Sequence, residues 1–173
     1  MKKHLPNFIT LLNLLCGSIA VLFAVDGELI ITALFVFLGI FFDFFEGLLA
    51  RKLNVQSELG LQLDSLADMV TSGLVPGIVM FQLFNLTGPD WIEFNNTVGL
   101  NSSLTQNSLL PFFGLIITLA SAYRLGKFNI SSNQSDAFIG LPTPANTLLI
   151  LSFPLILEYQ NNDMINAIIL NKW

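Results

Sequence analysis

LIITALFVFLGIFFDFFEGLL, residues 29–49, carries Asp43 and Glu46 as its only charges and is otherwise almost wholly apolar. A helix crosses the ~30 Å hydrocarbon core of a bilayer in about 20 residues, so this stretch reads as a membrane-spanning helix. Working outward from it, residues 7–25 form a span before it, and residues 66–84, 109–125 and 145–159 form three after it. Pro144 opens the last of these, where a proline suits the first helical turn. Residues 164–170 begin a sixth span but meet Trp173 too soon to cross. The sixth helix is therefore expected to be short or truncated, or to continue in a longer natural chain.

Composition agrees with this reading. Of 173 residues 53% are hydrophobic, and 16 are Phe. Charged residues make up 11%, where about 25% is usual in a soluble domain. The mean hydropathy is +0.70. A soluble domain of this size has too little interior to hide that much apolar surface, and a disordered chain is polar and charge-rich. A net charge of −5 and a pI of 4.5 exclude a nucleic-acid partner, which requires a basic surface. The single cysteine, Cys16, excludes an internal disulfide framework and a cysteine-built zinc site. The expectation is an all-α, polytopic membrane protein, residues 1–173 forming one integral membrane domain.

The first span has a competing reading as a signal peptide, with Lys2, Lys3 and His4 as its basic start and Cys16-Gly17 as a lipoprotein-type cleavage site. Leu15 is too large for that site, and Pro6, Asn7 and Asn13 interrupt the apolar run, so the span is read as retained. The seven basic residues are Lys2, Lys3, Arg51, Lys52, Arg124, Lys127 and Lys172. With the N-terminus in the cytoplasm, the spans put all seven on the cytoplasmic side, as basic residues are biased to lie. Asp26, Glu28, Asp90, Glu93, Glu158 and Asp163 then fall on the other side, two of them in the long polar connection 85–108.

Four carboxylates stand where a membrane helix should have none. Asp43 and Glu46 lie near the cytoplasmic end of the second span, and Asp64 and Asp68 at the start of the third. Each ionised group at a helix centre costs about 2.5–3.5 kcal/mol, and four anions together also repel one another. Asp43, Glu46, Gly47 and Ala50 fall on one helical face, and Gly60, Asp64 and Asp68 on another. The short connection between the spans lets the two faces meet. An all-oxygen ligand set of this kind suits a hard divalent ion, Mg²⁺ or Mn²⁺. Gly47 and Ala50 leave room for a bulky ligand, and Arg51 at the mouth suits a bidentate phosphate. Two other readings stay open on spacing alone: interfacial carboxylates paired with Arg51, Lys52, Arg124 and Lys127, or the ion path of a cation channel or carrier.

The same residues carry a family resemblance. Asp43-x-x-Glu46-Gly47-x-x-Ala50-Arg51, eight residues, then Gly60-x-x-x-Asp64-x-x-x-Asp68 closely resembles the signature of the CDP-alcohol phosphotransferases. Seven of its eight positions fit, and Glu46 stands where the family has its second aspartate. Three further stretches resemble motifs of the membrane-embedded bacterial and archaeal phosphatidylserine synthases. They are Pro6-Asn7-x-x-Thr10-x-x-Asn13, Arg124-Leu-Gly-Lys127-Phe-Asn129 and Phe138-x-Gly140-Leu-Pro142-x-Pro144-Ala145.

The resemblance implies a six-helix core, usually homodimeric, in the cytoplasmic (inner) membrane, with a two-metal site of Mg²⁺ or Mn²⁺ open to the cytoplasm. It implies transfer of a phosphatidyl group from CDP-diacylglycerol to the hydroxyl of L-serine, giving phosphatidylserine and CMP. Asp43, Glu46, Asp64 and Asp68 would form the metal shell, with Asp68 also the general base. Gly47, Ala50 and Gly60 stand where the family packs cytidine and pyrophosphate. Arg124 and Lys127 are candidates for a phosphate or the serine carboxylate, or simple positive-inside anchors. Asn7, Thr10 and Asn13 share a face and serve either substrate contact or helix packing, and Asn146 and Thr147 divide in the same way. Glu46 lengthens its side chain by one methylene, which is expected to reduce activity relative to aspartate. Another acceptor, such as glycerol phosphate or inositol phosphate, a divalent-cation carrier and a non-catalytic copy are the alternatives.

Overall fold

The computed structural model describes residues 5–53, 55, 57–86, 110–130 and 141–160. Among them the fold is entirely helical. α1 spans Leu5–Val25 and α2 Leu29–Leu53. α3, Glu58–Asp68, runs through a π-helical segment, Met69–Leu74, directly into α4, Val75–Leu86. A 3₁₀ segment, Leu110–Leu115, leads into α5, Ile116–Ile130, and α6 covers Thr143–Tyr159. Among the described residues three rods are long and apolar enough to cross a membrane: Leu5–Val25, Leu29–Leu53 and Glu58–Leu86. The fourth and fifth expected spans are helical too, but α5 and α6 have 15 and 17 residues. The expected sixth span and nearly all of the connection 85–108 lie outside the described residues.

The chain enters α2 through a tight reversal. Gly27 has φ +82°, its N–H donates to Ala24 O, and Glu28 N–H donates to Phe23 O. This is the pattern of a Schellman cap, in which glycine meets the left-handed residue without steric cost. The next turn is set by Ser57, whose side chain accepts from Gly60 N–H at 3.0 Å and caps α3. α3 therefore starts well before the apolar run at residue 66. Glu58, Gln62 and Asp64 dilute its first turns, so hydropathy alone places the start too late.

The core is built from small side chains. Ala20, Ala24, Ala33, Val36, Val75, Val79, Leu83, Ile150 and Leu151 form one buried cluster. Large apolar groups point the other way: Leu34 and Phe44 on α2 are 64% and 63% exposed. Lipid offers no hydrophobic drive for helices to associate, so close approach through small residues and interhelical hydrogen bonds holds such a bundle together. Gln82 Nε2 donates to the carbonyls of Ala24 and Val25 at 3.1 and 2.8 Å, tying α4 to the end of α1. Gly39 shows how close the helices come. A Cβ there would meet Thr71 Cγ2 at 2.8 Å and Asn13 Oδ1 at 2.9 Å, both on fully buried neighbours. Gly39→Ala is expected to destabilise the bundle by about 1–3 kcal/mol, read as a lower unfolding temperature in detergent. An unchanged midpoint would mean that these helices separate freely.

The π-helical segment has a geometric consequence. Gly60, Asp64 and Asp68 recur every fourth residue, as do Val75, Val79 and Leu83. In an unbroken α-helix Leu83 would lie about 140° round the axis from Gly60. The wider turn, with Val75 N–H bonded to Val70 O, absorbs one extra residue. That removes about 100° of the offset. The acidic stripe and the apolar stripe thus share one side of a continuous rod. Threonine hydroxyls from two other helices brace the segment. Thr118 Oγ1 donates to Gly73 O at 3.1 Å, and Thr147 Oγ1 lies 2.9 Å from both Ser72 O and Thr143 O.

Candidate active site

A cavity of about 850 Å³ opens where α2 ends and α3 begins. α1 contributes Asn7, and α2 contributes Asp43, Glu46, Gly47, Ala50 and Arg51. α3 adds Gly60, Asp64, Ser65 and Asp68; α5 adds Arg124 and Phe128. Pro142, Thr143 and Pro144 close the wall at the start of α6. The helical stripes read from spacing therefore meet on one cavity.

Asp43, Asp64 and Asp68 form its centre. Each offers a carboxylate oxygen, and these oxygens lie within 4.8 Å of one another. Asp64 Oδ1 is buried with no hydrogen-bond partner among the described residues. A buried, unpartnered carboxylate oxygen beside two more carboxylates is costly unless a cation neutralises it. The donor set is all oxygen, which fits Mg²⁺ or Mn²⁺. Glu46 belongs to the same wall and is 8% exposed, yet it stands outside the three-aspartate group, beside Asp64. It follows Asp43 by three residues, on the same face of α2.

The surroundings leave space for a bulky anion. A Cβ on Gly47 would meet only Arg51 Nη2, at 3.8 Å. A Cβ on Gly60 would stand 3.3 Å from Asn7 Oδ1, so the glycine lets that carboxamide approach α3. Among the described residues, Arg51 and Arg124 form no ion pair with the carboxylates that share their cavity. The interfacial charge-pair reading of the acids is thus unmet within the described chain.

Thr10, Asn13 and Lys127 are not on the cavity wall. Thr10 Oγ1 donates to Pro6 O at 3.1 Å within its own helix, and Asn13 accepts from Thr71. Both are 1% exposed, so they pack helices rather than face the cavity. Lys127 is exposed on α5. Thr147 bonds to backbone carbonyls and also serves packing. Reasoning from sequence missed Ser65, which lines the cavity and donates to Asn129 Oδ1 at 3.0 Å, joining α3 to α5. Its place three residues before Asp68, on the same face of α3, is the available signal.

The sequence pattern of CDP-alcohol phosphatidyltransferases matches residues 3–173. The chain belongs to the CDP-alcohol phosphatidyltransferase family. It is 34% identical over 157 residues to the CDP-diacylglycerol–serine O-phosphatidyltransferase of Bacillus subtilis, covering 87% of this chain and 76% of that one. A protein of the same name from Methanocaldococcus jannaschii is 28% identical, over 95% of this chain and 66% of its own length. The archaetidylserine synthase of Methanothermobacter thermautotrophicus is 28% identical, over 86% of this chain and 57% of its own. As a CDP-alcohol phosphatidyltransferase with three helices, among the described residues, long and apolar enough to cross a membrane, the chain is a membrane transferase of phospholipid synthesis.

Proposed function

We propose that this phosphatidyltransferase moves the phosphatidyl group of CDP-diacylglycerol onto the hydroxyl of L-serine, releasing CMP. The observation that carries the reading is a single cavity lined both by three clustered aspartates and by two arginines free of described carboxylate partners. The serine acceptor is supported by the relatives' names and by the modest basic charge, since a phosphorylated acceptor calls for more cations than Arg51 and Arg124.

Asp43, Asp64 and Asp68, with Glu46 beside them, would hold two divalent ions, Mg²⁺ or Mn²⁺. Such ions neutralise the donor pyrophosphate and the charge that grows on departing CMP. The protein's own groups do the rest. Arg51 pairs with a phosphate, and the space over Gly47, Ala50 and Gly60 admits the nucleotide. Asn7, beside Gly60, donates to it. Arg124, which α5 contributes to the same cavity, pairs with the serine carboxylate. Asp68 accepts the proton of the serine hydroxyl as its oxygen attacks the phosphorus bearing diacylglycerol. The bond from that phosphorus to the CMP oxygen breaks, and CMP leaves with the electron pair.

The site faces the cytoplasm with the N-terminus, in keeping with Arg51, Lys52, Arg124 and Lys127 on that side. Residues 1–173 act as one catalytic domain of a six-helix bundle, and two copies form the working dimer.

The test uses the full chain in lipid nanodiscs with CDP-diacylglycerol, Mn²⁺ and a panel of alcohols, following CMP release. Serine-dependent CMP is expected, lost on adding EDTA and restored by excess Mn²⁺. CMP release with glycerol phosphate or inositol phosphate but not serine would overturn the acceptor. No CMP with any acceptor, even after Glu46→Asp, would overturn the transferase reading.

A further inference from the structure

We infer that Asn129 is a positioning residue for Arg124, tying the end of α5 to α3 through Ser65. α5 is lightly held among the described residues. Ser121 is its only buried residue, while Leu119, Tyr123 and Ile130 are exposed. Two hydrogen bonds tie it to the continuous rod of α3 and α4. At one, Thr118 Oγ1 donates to Gly73 O at 3.1 Å, and a Cβ on Gly73 would stand 3.2 Å from Ser121 Cβ. At the other, Ser65 Oγ and Asn129 Oδ1 lie 3.0 Å apart. Past Ser121 the helix buries no residue, so packing alone does not hold this end, and the Ser65–Asn129 bond secures it.

The spacing of the two ties agrees. Ser65 and Gly73 are eight residues apart on the rod, as are Asn129 and Ser121 on α5. Two antiparallel helices, each rising about 12 Å over that interval, are thus pinned at both of its ends. Arg124 lies inside the interval, on the face of α5 that Ser121, Leu125 and Phe128 share. α3 is the stiffer partner. It continues into α4, is capped by Ser57 and lies close to α1, where a Cβ on Gly60 would stand 3.3 Å from Asn7 Oδ1. Breaking the tie therefore releases the end of α5 with Arg124 and leaves Asp64 and Asp68 in place. Asn129 is not on the cavity wall, so its effect reaches a ligand only through the residues it places. A hydroxyl and a carboxamide can bond in either sense, and the tie holds whichever donates.

The inference rests on the proposed serine site, in which Arg124 pairs with the acceptor carboxylate, and the experiment separates the two. Full-length protein in nanodiscs is assayed for CMP release against serine concentration. It is also titrated with Mn²⁺, free ion being followed by electron paramagnetic resonance. Asn129→Leu keeps the bulk and deletes the bond. It is expected to raise the KM for serine by about fivefold to tenfold, within the range of a lost hydrogen bond, with kcat and Mn²⁺ affinity little changed. Ser65→Ala breaks the same bond, so adding it to Asn129→Leu should cost less than the two separate effects combined. In an Arg124→Gln background, Asn129→Leu should raise the KM no further, because the group it positions has been removed.

A purely structural bond would lower the unfolding temperature and act alike with Arg124 present or replaced; that result overturns the inference. A fall in Mn²⁺ affinity with the KM for serine intact also overturns it, since α3 would then be the helix that moves. If Asn129→Leu does not fold, Asn129→Ala removes the same bond without bulk and carries the same expectations. A wild type with serine-dependent CMP release, matched in KM by Asn129→Leu, sinks this inference alone. A wild type that binds Mn²⁺ but releases no CMP with serine sinks the serine reading and this inference together.

Discussion

Asp68→Asn is expected to lower serine-dependent CMP release by about a thousandfold while leaving the metal-free protein as stable as before, or slightly more so. The substitution is nearly isosteric, so packing against the π-helical segment survives. It removes one of three carboxylates whose oxygens lie within 4.8 Å of one another. In a partly buried site such like charges repel by about 4 kcal/mol per pair at 4 Å if the effective dielectric constant is about 20. Relieving that repulsion favours the folded, metal-free protein. Activity and stability should therefore move apart, which a misfolded variant cannot imitate. The measurement is CMP release at saturating Mn²⁺ with an unfolding curve recorded in EDTA. Retention of more than about a tenth of the wild-type turnover would remove Asp68 as the base, since a positioned base contributes about 10²–10⁴-fold.

The residues differ in how openly the sequence announces them, and the reason is geometric. A stripe such as Asp43, Glu46, Gly47 and Ala50 follows from helical periodicity, and a short connection brings it against Gly60, Asp64 and Asp68. Periodicity says nothing of how deep along a helix a neighbour packs. Asn7, Thr10 and Asn13 share one face of α1, yet only Asn7 reaches the cavity; Asn13 lies nearly two turns further in, against Thr71. Hydropathy marks where the bilayer is, not where a helix starts and stops. α2 runs on to Leu53 and α5 to Ile130, past the apolar limits at residues 49 and 125. α3 begins at Glu58 because Ser57 caps it. The π-helical segment is the least legible feature. It adds one residue to a turn without altering composition, and the threonines that brace it, Thr118 and Thr147, look like any small polar residue in a membrane helix.

Glu46→Asp is expected to raise turnover at limiting Mn²⁺ by about tenfold or more, since an error of about 1 Å in a reacting site costs as much as 10²-fold. Glu46 is 8% exposed and stands beside Asp64, outside the group formed by Asp43, Asp64 and Asp68. It shares a face of α2 with Asp43, so the backbone already directs it to the cavity. What separates it from the three aspartates is reach: one extra methylene carries the carboxylate about 1.5 Å further along its path. Metal–ligand distances tolerate only about ±0.2 Å, so a carboxylate that overshoots must fold back into a less favourable rotamer to bind. Aspartate at this position would retract the oxygens and keep the charge. The Mn²⁺ titration gives a second readout. Wild type should fill one ion readily on the three aspartates and the second only weakly, whereas Glu46→Asp should bring the two affinities together. If Glu46→Asp instead lowers turnover at saturating Mn²⁺, the glutamate is the length this cavity requires, and its neighbours have moved to suit it.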